Sequence, residues 1–266
     1  MPDPPAEPRR HRRAISLRIL LILFVPLAVW LGSFTNRARA QQRAVEAIRR
    51  AGGSVEYDDH QFPFGRFRPR PKPWPIPWLK RHLGDDYFRR VIRVHLSGPR
   101  VDDEALAALG GLGQLEAVFL PQTRVSDAGL VHLKDQRRLH TLSLDYTQVS
   151  DAGLVHLRGL TGLRYLGLSR TRVTDHGLVH LKGLIGLRML ALNRTQVTDA
   201  GLAHLEGLTD LRSLLLEFTP VTDAGLAHLR GCRHLKGVWL TKTRVSEEGI
   251  AGLRRAFPGI SVGPTD

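Results

Sequence analysis

The chain has 266 residues, 42% of them hydrophobic, one cysteine and a formal charge of +14. That length admits one domain with appendages, and a lone cysteine, Cys232, excludes an intrachain disulfide framework. The charge does not point to nucleic acid: residues 1–90 hold 18 Lys and Arg against 8 Asp and Glu, whereas residues 91–266 hold 21 against 17, so the excess sits in the leader, where it fits membrane topology and anionic headgroups.

Residues 1–15 form a basic segment with Arg9, Arg10, Arg12 and Arg13. Thirteen consecutive apolar or proline residues come next, from Ile19 to Leu31. A basic flank before an apolar run marks a secretory signal or signal anchor. Leu17 to Phe34 supplies about 18 residues toward the roughly 20 that a span needs, with Arg18 snorkelling to the headgroups. Residues 16–36 are therefore expected to be a transmembrane signal anchor of a single-pass membrane protein whose remaining chain is extracytoplasmic. Arg37, Arg39 and Arg43 lie after the segment and weaken the orientation signal. Ala38-Arg39-Ala40 also has the small-x-small spacing of a signal-peptidase site, and cleavage after Ala40 would give a secreted chain.

Residues 37–77 are expected to hold a short amphipathic helix, built on Ala44, Val45, Ala47 and Ile48, then strand-like Ser54–Tyr57 and a proline-rich linker. Prolines at 63, 69, 71, 73, 75 and 77 favour extended polyproline geometry. This stretch reads either as a semi-rigid spacer or as an interfacial aromatic collar with Trp74 and Trp78. Residues 78–90 read as a short helix that, alone or with Ser54–Tyr57, caps the chain beyond residue 90 at its amino-terminal end.

From residue 91 to 258 the chain repeats every 24 residues, with seven unit starts at Val91, Leu115, Leu139, Leu163, Leu187, Leu211 and Leu235. A fixed period of this size marks a solenoid whose units bury their apolar faces against neighbours. In the unit that starts at Leu163, Leu166 and Leu168 alternate about Gly167, a strand period. Thr174 then offers an N-cap hydroxyl and Asp175 a charge for the first helical turn. Leu178, Leu181 and Leu184 make one apolar face of a short helix, and Gly183 stands where it ends. Residues 259–266 form a carboxy-terminal cap and tail, in which Ile260 and Val262 close the last core layer.

The run L-x-x-L-x-L-x-x-T-x-V-[ST]-D-A-G-L-x-H-L resembles the leucine-rich repeat family, in a variant similar to repeats of bacterial membrane-anchored proteins. The resemblance implies an α/β fold: a right-handed solenoid with parallel strands on its concave side and short helices on its convex side. It is specific for fold and weak for function. Where many relatives carry Asn or Cys after the strand, this chain carries Thr123, Thr147, Thr171, Thr195, Thr219 and Thr243. Their hydroxyls are expected to bond the backbone of the next unit.

Two columns tempt a catalytic reading. His132, His156, His180, His204 and His228 share one phase, and so do Asp127, Asp151, Asp175, Asp199 and Asp223. Stacking accounts for both: the histidines meet helix ends and the aspartates follow cap residues. No phosphate loop, metal-protease helix or nucleophile elbow is present. No enzyme activity, cofactor or metal is expected. The residues that fail to repeat are the candidates instead. Phe119, Tyr165, Met189, Leu215 and Trp239 lie on strand phases that face the concave side. Asp145, Tyr146, Arg170, Arg194, Glu217, Phe218 and Lys242 lie just beyond. Aromatics and arginines on a rigid surface are what protein interfaces use as anchors. The expected function is a membrane-tethered scaffold that binds a protein or peptide on its concave face. A spacer without a specific ligand is the alternative.

Overall fold

The structure, a computed structural model, describes residues 17–58 and 89–263. The basic segment 1–15, most of the proline-rich linker and nearly all of the expected 78–90 cap lie outside the described residues.

Seven parallel strands recur at the 24-residue step: β2 (Val91–His95), β3 (Ala117–Phe119), β4 (Thr141–Ser143), β5 (Tyr165–Gly167), β6 (Met189–Ala191), β7 (Ser213–Leu215) and β8 (Gly237–Trp239). A short ninth, β9 (Ser261–Val262), continues the same register, with Ser261 beside Gly237. At the other end β1 (Ser54–Tyr57) pairs antiparallel with β2, so the sheet has nine strands in chain order. The central residue of each repeat strand points into the core and is fully buried from Val94 to Val238. Its two flanking residues form the open face of the sheet. The register confirms the phases read from sequence: Thr141, Tyr165, Met189, Ser213 and Gly237 are neighbours, as are Phe119, Ser143, Gly167, Ala191, Leu215 and Trp239.

Each return from strand to strand is two helical turns of different kinds. Asp175–Leu178 is α-helical and Val179–Leu181 is 3-10, and the other units follow suit except the last, whose return is a single α-helix. The leucine spacing explains the change, because residues three apart align on a 3-10 turn, and Leu178, Leu181 and Leu184 all reach full burial that way. A fully buried leucine contributes about 1.5–3 kcal/mol relative to an exposed one, so this single continuous core stabilises the stack without disulfides.

The amino-terminal end of the core is covered by α1 (Leu17–Arg50), one unbroken helix of 34 residues. It joins two segments expected from sequence to be separate, the anchor and the helix after it. Ala44, Val45 and Ile48 join the solenoid core. Gln41 Nε2 donates to the Arg89 carbonyl at 2.7 Å, and Gly52 ends the helix at φ 81°. Among the described residues, no helix is long and apolar enough to cross a membrane. The side chains of residues 17–24, which carry much of the apolar run, lie outside the described residues. At the far end an amphipathic helix, Glu247–Ala256, buries Ile250 and Leu253, and Ile260 completes the layer.

Candidate interaction surface

Several columns of side chains run across the units, and three of them define how the units join and turn. The first is the aspartate column. Asp151 does not merely charge its own helical turn. Its Oδ1 accepts the Thr174 N–H at 2.7 Å and its Oδ2 accepts the Thr174 hydroxyl at 2.6 Å, in the next unit. The Thr174 hydroxyl in turn accepts the His176 N–H at 3.3 Å as an N-cap. The same clamp joins Asp103 to Ser126, Asp127 to Ser150, Asp175 to Thr198, Asp199 to Thr222 and Asp223 to Ser246. Bonds to an ionised acceptor are about twice as strong as neutral ones. A Cβ on Gly177 would collide with Asp151 Oδ1, and the equivalent glycines stand against the equivalent carboxylates. The Asp and Gly of the repeat are therefore one device for fastening units together.

The threonine column is a correction to the expectation drawn from sequence. Thr171 Oγ1 donates to the Leu168 carbonyl at 2.7 Å, three residues earlier in its own unit. Thr123, Thr147, Thr195, Thr219 and Thr243 do likewise. The hydroxyl is too short to reach the neighbouring unit from a buried turn, so it satisfies its own strand's carbonyl.

The third column is the turn just past the strand. Gln122, Tyr146, Arg170, Arg194, Phe218 and Lys242 all have φ between 53° and 61°. The backbone N–H of each of the first five donates to a carbonyl of the next unit, as Arg170 does to Asn193 at 2.8 Å, and this holds the turn. A side chain in the left-handed region costs roughly 1–2 kcal/mol, which glycine avoids. None of the six is glycine, although the residue at the same phase of the first unit is, Gly98 at φ 91°. Tyr146 and Phe218 are the exposed aromatics here, at 46% and 42%. The Arg170 guanidinium lies 4.9 Å from the Tyr146 ring centre, and that of Arg194 lies 3.7 Å from Phe218. Both are within cation–π range. Lys242 is exposed at the end of the column.

On the sheet face Tyr165, Met189 and Leu215 are half-buried near neighbours. Burial, aided by Asp145, raises the Tyr165 phenol above its usual value, so the hydroxyl is a neutral donor. Phe119 stacks on His95, with ring centres 4.5 Å apart and planes within 9°. The Trp239 indole lies over Gly237 and Gly263, where added Cβ atoms would meet it at 2.9 and 2.7 Å. Asp145 and Glu217 already have partners. Asp145 accepts from the Ser143 hydroxyl at 2.7 Å and the Ser169 N–H at 2.8 Å, and Glu217 accepts from Asn193 Nδ2 at 3.1 Å and Thr241 Oγ1 at 3.2 Å. The open face thus gathers Tyr165, Met189 and Leu215, with Tyr146, Arg170, Arg194 and Phe218 along one margin.

Sequence reasoning passed over one further column. Arg164, Arg188, Arg212 and Lys236 stand at strand entrances and are all exposed. The signal was present, since they too share one repeat phase.

The histidine column is half-buried. Burial, with Arg158 nearby, lowers the His180 imidazole below its usual value, and His228 Nδ1 lies 2.8 Å from Glu206 Oε1. Among the described residues no group of three or more His, Cys, Asp or Glu stands together as a metal site. Cys232 is fully buried, and burial pushes its thiol up to about 11.

The parallel sheet, the 24-residue step and the buried leucine phases define a solenoid of the leucine-rich-repeat type. No family model matches the chain, and no curated protein matches it. Among solved structures, an internalin of Listeria monocytogenes is similar over 59% of this chain and 49% of its own, at 18% identity and a TM-score of 0.45. Internalin C2 of the same organism is similar over 61% of this chain and 77% of its own, at 22% identity and a TM-score of 0.48. The chain thus spans about half the length of the first of these.

Proposed function

We propose that the chain is a non-catalytic interaction module that holds a protein or peptide on the open face of its sheet, the concave side if the bulkier helices set the curvature. The observation that carries this reading is the turn column: six side chains kept at positive φ, two of them exposed aromatics stacked with arginines. A backbone that favours glycine retains large side chains where those side chains have a use.

We propose further that residues 16–36 tether this module to a membrane, with the repeats outside the cytoplasm. The supports are the basic flank, the apolar run and the continuity of α1, which leads from that run to the cover of the solenoid core with no intervening linker. Cleavage after Ala40 is the competing outcome, and it yields a shorter chain by mass.

The test of the binding role is photocrosslinking in native cells. A benzophenone side chain at 146 or 218 is expected to form one defined adduct with a polypeptide. The same group at 185, on the helical side, is expected to form none. Equal labelling at all three positions, or none, is what a spacer without a ligand would give. Protease protection of intact cells reads the side of the membrane.

A further inference from the structure

The proposed docking face has a charge pattern that names its occupant more closely. Arg164, Arg188, Arg212 and Lys236 form an unbroken column at the entrances to β5–β8. Their backbones are linked directly: the Arg188 N–H donates to the Arg164 carbonyl, Arg212 to Arg188 and Lys236 to Arg212, each at 2.8 Å. Adjacent strands lie about 4.8 Å apart, so four cations follow one another at about that step. Among the described residues none of the four joins an ion pair. At the opposite margin stand Arg170, Arg194 and Lys242.

The acids of the same stretch do not balance these cations. Between Arg164 and Lys242 there are six: Asp175, Asp199, Asp223, Glu206, Asp210 and Glu217. The first three are spent in the clamps between units. Glu206 and Asp210 face His228 and His234. Of the six, Glu217 alone lies at the sheet face, where Asn193 and Thr241 hold it; Asp145, just before this stretch, also borders the face and is held by Ser143 and Ser169. Between the two basic margins the strand residues are uncharged: Tyr165, Met189, Leu215 and Trp239. The column also has a direction, because its earlier members are Ile92, Glu116 and His140. Positive charge begins at the fourth repeat strand and persists to the last.

We propose that this half of the sheet face binds an acidic polypeptide segment, its carboxylates meeting the two basic margins and its apolar side chains meeting the strip between. The inference rests on the docking role proposed above. A polypeptide fits better than a nucleic acid because the two exposed aromatics already have guanidinium groups on them, whereas single strands are held by stacking bases on free rings.

Binding of fluorescent poly-L-glutamate to the full chain in neutral detergent tests this, with a single-stranded oligonucleotide as the rival. Replacing Arg164, Arg188, Arg212 and Lys236 together by Gln is expected to weaken poly-glutamate binding about tenfold or more. The charge-matched control replaces Lys134, Arg158, Lys182 and Arg230, exposed on the helical side, and is expected to leave binding within about twofold. Circular dichroism confirms that both variants keep their fold. Equal weakening by the two sets, no binding of poly-glutamate, or tighter binding of the oligonucleotide through the same four residues would each overturn the proposal. A defined adduct at 146 or 218 without poly-glutamate binding would remove the acidic partner and leave the docking role standing.

Discussion

The aspartate clamps and the left-handed turns both recur at the 24-residue step, yet they treat residue identity in opposite ways. In the clamp column geometry and identity recur together, because one carboxylate must reach both the N–H and the hydroxyl of the next unit and needs a glycine beside it. In the turn column the backbone recurs at φ 53–61° while the residues are Gln, Tyr, Arg, Arg, Phe and Lys. The first column is fixed by the stack it fastens. The second is constrained only in its backbone, and against glycine's advantage its side chains differ from unit to unit. Repetition therefore marks the scaffold, and variation on a repeated backbone marks the surface open to a partner.

The comparison can be broken most forcefully at a clamp. Gly177→Ala pushes a methyl into Asp151 and is expected to lower unfolding free energy by about 2–3 kcal/mol in urea. In an Asp151→Ala background the same change should cost clearly less, since the carboxylate oxygen is gone and only the 3.0 Å contact with Leu154 and the 3.1 Å contact with the backbone at 151 remain. Equal costs in the two backgrounds would show that the glycine serves something other than the clamp. Thr171→Val removes the bond to the Leu168 carbonyl while keeping the shape, and a loss of about 1 kcal/mol is expected. In the turn column the sign reverses: Gln122→Gly is expected to hold stability or raise it by up to about 1 kcal/mol. A clear loss there would place the column with the scaffold. The smallest effect concerns Cys232. Its thiol titrates higher when folded than its ordinary value of 9.0, so its contribution is intact below about 9 and fades as pH rises toward about 11. Cys232→Ala should flatten that alkaline slope, measured by urea denaturation across this range.

Much of the scaffold was legible because a period exposes its own register. The two strand phases that flank the central leucine could be written down unit by unit, and the sheet pairs them so. The destination of each bond was less legible. Asp151 looks the same in sequence whether it charges its own turn or clamps Thr174 in the next unit, and the threonine hydroxyl gives no sign of bonding its own strand. The positive φ of Tyr146 or Phe218 was marked by glycine only in the first unit, at Gly98, and not at their own positions. The basic column at 164, 188, 212 and 236 was overlooked because alternation draws attention to inward-facing strand residues, and these four precede the strands. The continuity of α1 was masked by the change from an apolar run to a charged amphipathic one, which leaves the helical backbone unaffected.

The most direct measurement replaces Tyr146, Arg170, Arg194 and Phe218 together by glycine and places the photocrosslinker at 189, on the sheet face. If the turn column serves a partner, the urea midpoint equals or exceeds that of the parent chain, and the adduct that the parent forms from the same position is lost. A lowered midpoint, or an adduct that persists, would contradict that role.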